Sequence, residues 1–193
     1  MILPIVAYGS PVLRKVCKDI TPEFPGFEKL LADMWETMYN SNGVGLAAPQ
    51  VNKEIRLFMI DSEQIFTNMK EDNEEHDYPD EPGYKGVFIN AHIVELAGED
   101  WSYNEGCLSI PKIREDINRK ETVTLKFVDE NFQPHTKTFS GITARVILHE
   151  YDHIEGKLFI DYIKPLKRTL LKRKLDDITK GKISVDYRMV FPK

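Results

Sequence analysis

Residues 148–156 read LHEYDHIEG and hold His149, Glu150 and His153 in the spacing H-E-x-x-H. Side chains four apart share one face of a helix, so the run can gather its histidines only if it is helical. Wound that way, His149 and His153 can converge on one ion. Glu150, projecting beside them, can take a proton from water and return it to a leaving group. A catalytic metal of this type needs three protein ligands and keeps a further position for water. The run supplies two, so the fold must carry a third ligand to this helix.

The usual protease solutions are absent. A metzincin-type run continues H-x-x-G-x-x-H; here Gly156 fits, but the last position is Phe159, which binds no metal. Thermolysin-like enzymes use a glutamate, usually downstream, yet after Glu155 the chain has neither Glu nor His. Upstream, His76 lies in an acidic stretch, while His92 and His135 sit beside strand-like segments where surface or packing roles account for them. Cys17, in LRKVCKDI, reads as a small buried apolar residue. Cys107 lies in NEGCLSIP, between Gly106, which frees the backbone, and Pro111. Alone, that segment suggests a buried structural cysteine. Beside an H-E-x-x-H run lacking a partner, metal ligation is the better reading.

Two cysteines in 193 residues make no disulfide framework and fit a reducing compartment. The start, MILPIVAYGSPVLRK, has no basic leader, and its apolar run is broken by Pro4. No stretch approaches the roughly 18 consecutive apolar residues of a spanning helix. The expectation is a cytoplasmic protein with no membrane partner. A net charge of -5 argues against specific DNA as a partner.

Periodicity supplies the organisation. Phe27, Leu30, Leu31, Met34, Met38 and Tyr39 recur at helical spacing, after Pro25-Gly26 and before Asn42-Gly43. IRLFMID (55–61) reads as a buried strand and GVFINAHIVEL (86–96) as a longer extended segment. TVTLKFVD (122–129) and TKTFSG (136–141) bracket ENFQPH as a hairpin. Helix returns over ITARVILHEYDHIEG, with Gly156 as its stop, and again over about 165–180, before a strand-like tail, ISVDYRMVF. Residues 71–81, acidic at seven positions, read as a solvated loop. Strands precede the metal helix without regular alternation, which predicts an α+β fold. The expectation is a single domain over 1–193. Antiparallel or mixed sheets would pack around a central metal-binding helix, flanked by N-terminal and C-terminal helices.

Three separated stretches, GVGLAAPQ (43–50), EGCLS (105–109) and HEYDH (149–153), together and in this order resemble the peptide deformylase family. The likeness extends through GKLFID (156–161) and covers most of residues 1–165. It implies hydrolysis of the N-formyl group from the formylmethionine of nascent polypeptides, with release of formate. By position, Cys107, His149 and His153 would bind one divalent metal, Fe(II) in the cell, with Zn, Ni or Co able to occupy the same donors in purified protein. Glu150 would be the general acid and base. Gln50 and the backbone N–H of Leu108 would donate to the developing oxyanion, and Arg114 would meet the substrate backbone. Gly45 and Glu105 match positions that line or support the site. Val44, Tyr103, Ile142 and Val146 are expected to form the apolar pocket for the methionine side chain.

The last helix, PLKRTLLKRKLDDI, would set Leu166, Leu170, Leu171 and Ile178 near one face and expose Lys167, Arg168, Lys172, Arg173 and Lys174. A solvated face over an apolar stripe explains the pattern. The sharper expectation is docking of this basic face on the ribosome.

Overall fold

The computed structural model describes residues 1–71 and 83–192, the side chains of residues 70 and 71 aside. The acidic stretch from 72 onward, with His76, lies outside the described residues. Near the chain ends, β1 (Ile5–Val6) pairs in parallel with β7 (Met189–Val190). The main sheet is antiparallel throughout and runs in chain order: β2 (Gly45–Ala47), β3 (Leu57–Asp61), β4 (Lys85–Cys107), β5 (Ile110–Val128) and β6 (Pro134–Ser140). Four α-helices accompany the strands among the described residues: α1 (Phe27–Asn40), α2 (Glu63–Glu71), α3 (Gly141–Ile154) and α4 (Pro165–Thr179). The α+β architecture expected from the sequence is the one found.

The hydrophobic pattern explains most of these elements. In α1, Phe27, Leu30, Met34 and Met38 are buried at helical spacing, and the helix ends before Asn42, whose φ of 53° breaks the ladder. In α3 nearly every side chain from Ile142 to Ile154 is buried, because the helix lies between the main sheet and the segment after β2. Its stop is Gly156, with φ of +70°; a Cβ there would meet the Arg14 carbonyl oxygen at 2.7 Å, so both conformation and packing demand glycine. Under the helix, Phe58 and Phe88 stack with centroids 4.8 Å apart, and Phe127 closes on Phe88 at 4.5 Å.

The structure departs from the sequence reading in four places. First, β4 and β5 are far longer than the apolar runs suggest, forming one hairpin through a turn at Leu108–Ser109. From Lys112 to Arg119 side chains alternate strictly outward and inward, but Glu115 and Arg119 occupy inward places and mask the pattern. Second, α2 covers Glu63–Glu71, residues to which the sequence reading assigns no element. Third, the tail is strand only at Met189–Val190. Fourth, α4 buries Leu171, Leu175 and Ile178, whereas Leu166 and Leu170 are 77% and 75% exposed. The inner stripe is therefore rotated from the face that includes those two leucines.

Candidate active site

Helix α3 packs against β5, and this packing assembles the site near the end of the β4–β5 hairpin. Pairing between β4 and β5 slips between Gly106 and Cys107, a bulge that re-aims the cysteine just before the two-residue turn. Its sulfur lies 3.3 Å from His153 Nε2. The ligand atoms of Cys107, His149 and His153 all fall within 4.8 Å of one another. The two imidazoles meet edge to face, 5.3 Å between centroids.

A carboxylate fixes one of these rings. Glu105 Oε2 lies 2.9 Å from His149 Nδ1, which leaves Nε2 as the outward-facing nitrogen. Glu105 is itself gripped by Arg119 (2.7 and 3.0 Å) and Arg145 (3.0 Å), and Arg119 reaches on to Asp152 at 2.6 Å. Arg145 also donates to the Trp101 and Ile117 carbonyls, at 2.6 and 2.8 Å. Burial alone would raise the Glu105 carboxyl, but the hydrogen bonds from His149 and Arg119 outweigh it and hold that carboxyl well below the usual carboxylate range. Sequence reasoning named Glu105 but missed Arg119, Arg145 and Asp152. A signal existed for Arg145, which stands four residues before His149 on the same helical face.

Glu150 projects to the other side of the ring pair, where Gly45 makes room. A Cβ on Gly45 would lie 2.5 Å from Glu150 Oε1, so any larger residue would displace the carboxylate. Glu150 Oε2 is buried and has no hydrogen-bond partner among the described residues. Burial pushes its carboxyl up to about 7, poised to gain or lose a proton near neutral pH. Gln50 approaches from the short helical turn after β2. Its Oε1 accepts the Ala47 N–H at 2.9 Å, which turns its Nε2 toward Cys107 Sγ (3.6 Å) and Ser109 Oγ (3.4 Å).

These groups open on a cavity of about 630 Å³. Val44, Gly45, Tyr103, Glu105, Arg114 and Val146 line it, as do Gln50, Cys107, Leu108, His149 and Glu150. Ile142 does not: it is fully buried in the cluster with Phe58 and Ile60, one helical turn before Val146. The guanidinium of Arg114 folds onto Asn104, donating to its Oδ1 at 2.8 Å and its carbonyl at 2.5 Å. Lining residues the sequence did not suggest include Ile65, Lys112 and the tail segment from Ser184 to Tyr187. Of the remaining histidines described, His92 is exposed and His135 pairs with Asp129 at 2.8 Å, and neither lines the cavity. Cys17 is buried.

A sulfur and two imidazole nitrogens facing one point fit a divalent transition metal of borderline softness. The unpartnered Glu150 Oε2 beside them fits a proton acceptor for water at such a site.

The sequence model described as polypeptide deformylase matches residues 2–169. The chain is 52% identical over 195 residues to the peptide deformylase of Christiangramia forsetii, covering 100% of this chain and 97% of that one. It is 54% identical over 191 residues to that of Flavobacterium johnsoniae, covering 99% and 96%. Among solved structures, a peptide deformylase from Legionella pneumophila matches with a TM-score of 0.76 at 35% identity, covering 94% of this chain and 98% of that one. The enzyme from Thermus thermophilus matches at 0.77 and 31% identity, covering 94% and 99%. With likeness of this extent in sequence and in fold, the chain belongs to the peptide deformylase family and is a metallohydrolase that releases formate from N-formylmethionyl peptides.

Proposed function

We propose that Cys107, His149 and His153 hold a single divalent ion, ferrous iron in the cell, and that Glu150, Gln50 and Leu108 carry out the deformylation around it. The convergence of the three ligand atoms within 4.8 Å carries this reading. An ion bound there supplies Lewis acidity, making water nucleophilic near neutral pH and drawing charge from the formyl oxygen. Glu150 takes a proton from the attacking water and passes it to the departing amine nitrogen. Gln50, its carbonyl tied to the Ala47 N–H, presents Nε2–H to the oxygen on which negative charge develops. The Leu108 N–H is the second donor. Each such donor is worth about 2.7–4 kcal/mol in the transition state. Val44, Tyr103 and Val146 receive the methionine side chain, and Arg114, released from Asn104, meets the peptide backbone.

The test is formate release from formyl-Met-Ala-Ser by enzyme purified without oxygen, with its metal measured in the same sample. The expected result is about one iron per chain and activity that decays in air as the iron is lost. Full activity with zinc alone, stable in air and matching the anaerobic preparation, would overturn the choice of iron and leave the ligand assignment standing.

The reading puts the enzyme in the cytoplasm, where formylated chains emerge from ribosomes. No described helix is long and apolar enough to cross a membrane. We further propose that α4 docks on ribosomal RNA. On its outer face Lys172, Arg173 and Lys174 are exposed; Lys167 is paired with Glu115 and Arg168 lies 3.6 Å from Asp161. Neutralising all five basic residues should abolish salt-sensitive co-sedimentation with ribosomes while formate release from a free tripeptide is unchanged. Co-sedimentation that survives the substitutions would place docking elsewhere.

A further inference from the structure

The cavity has a wall that the functional reading does not use: the tail between α4 and β7. There Ile183, Val185, Tyr187 and Met189 are half-buried while Lys182, Ser184, Asp186 and Arg188 are exposed, an extended alternation that turns Tyr187 inward. Its hydroxyl donates to the Leu108 carbonyl at 2.7 Å. Leu108 and Ser109 form the turn that joins β4 to β5, directly after Cys107.

That turn is tied from outside the hairpin at three points. Tyr187 holds the Leu108 carbonyl; the Tyr8 N–H donates to the Ser109 carbonyl at 2.8 Å; Gln50 Nε2 donates to Ser109 Oγ at 3.4 Å. Tyr8 and Tyr187 are themselves linked, because they flank the parallel pair β1–β7. The Ile5 N–H bonds the Arg188 carbonyl at 2.9 Å, and the Ala7 N–H bonds the Val190 carbonyl at 2.8 Å. The two ends of the chain therefore brace the turn together. The Leu108 N–H lies in the peptide plane joining Cys107 to Leu108 and the Leu108 carbonyl in the next plane, and the two planes are related only by φ and ψ of Leu108. In a two-residue turn closed by strand pairing on both sides, holding the second plane limits how far the first can turn.

We propose that Tyr187 is a positioning residue for deformylation, aiming the Leu108 N–H at the formyl oxygen by holding the Leu108 carbonyl. The proposal rests on the assignment of that N–H as an oxyanion donor. Tyr187 lies in the tail, beyond residues 2–169, the stretch matched by the family's sequence model. Donor placement matters steeply, since errors of about 1 Å can cost 10²-fold in rate.

Tyr187→Phe removes the hydroxyl and keeps the ring. In metal-loaded enzyme, kcat for formyl-Met-Ala-Ser should fall about tenfold, with KM within about twofold, as expected when an interaction specific to the transition state is lost. Metal content and unfolding midpoint should match the parent. A methionyl peptide bearing a tetrahedral H-phosphonate in place of formyl should bind about tenfold more weakly, and the product Met-Ala-Ser as before. An unchanged kcat with raised KM would make Tyr187 only a wall and overturn the proposal. So would equal losses of activity and metal. A second variant, with an ester in place of the residue-108 amide N–H, separates the two levels. If the ester leaves kcat intact, the oxyanion assignment fails and takes the proposal with it; if the ester lowers kcat but Tyr187→Phe does not, the proposal alone fails. Where both hold, Tyr187→Phe in the ester background costs nothing further.

Discussion

Glu150→Gln should lower kcat for formate release about 10⁴-fold, the upper end of what a placed proton carrier contributes, while the enzyme keeps its metal. Glutamine matches glutamate in shape, so it fits against Gly45, where even a methyl group would touch the Glu150 carboxylate at 2.5 Å. What it cannot do is accept a proton at neutral pH. The carboxylate is buried with one oxygen unpartnered among the described residues, and that burial raises its pKa to about 7. In the metal-free protein the buried charge opposes folding once the pH exceeds the ordinary carboxylate range, because a group whose folded pKa is raised favours the protonated form. The neutral amide carries no such penalty, so the unfolding midpoint of the variant should not fall. Activity then drops without loss of fold or metal. Loss of the metal together with the activity would identify Glu150 as a ligand. A decline of less than tenfold would assign the proton transfer to another group.

How much of this was legible in the sequence follows from where partners sit along the chain. His149, Glu150 and His153 announced themselves because one helical turn holds all three, and Gly156 marked the end of that helix. Cys107 was reachable by elimination, since the chain offers few soft donors. The length of β4 and β5 was not legible. Their inward positions include Glu115 and Arg119, whose charges mask the strand alternation until the fold joins Arg119 to Glu105 and to Asp152. Periodicity also misled where it had two answers. In α4 the pairs Leu166–Leu170 and Leu171–Leu175 are both spaced by four, and only packing selects the second as the inner face. Ile142 shares its helical face with Val146, but the helix start lies over Phe58 and Ile60 rather than over the cavity. Tyr187 meets Leu108 across 79 positions of sequence, a contact no local pattern encodes.

Cys107→Ala should abolish formate release by weakening metal binding. A hydrogen-bonded partner behind a ligand is typically worth 10–100-fold in metal affinity, so removing a ligand outright is expected to cost more than about 10³-fold. Two imidazoles from one helix turn remain, but the sulfur that lies 3.3 Å from His153 Nε2 is gone, and alanine offers no donor. Stability gives an independent readout. A ligand that binds only the folded state stabilises it in proportion to the logarithm of its concentration over Kd, about 4 kcal/mol at a thousandfold excess. The unfolding midpoint of the parent should therefore fall when a chelator is added, whereas that of Cys107→Ala should not respond to chelator or to micromolar metal. Alanine also fills less space than cysteine at a half-buried position, so a small constant drop in midpoint is expected and is distinguishable from the missing metal response. If the variant instead keeps one metal per chain and formate release within tenfold of the parent, Cys107 is not the third ligand. The unpartnered Oε2 of Glu150 would then be the next donor to test.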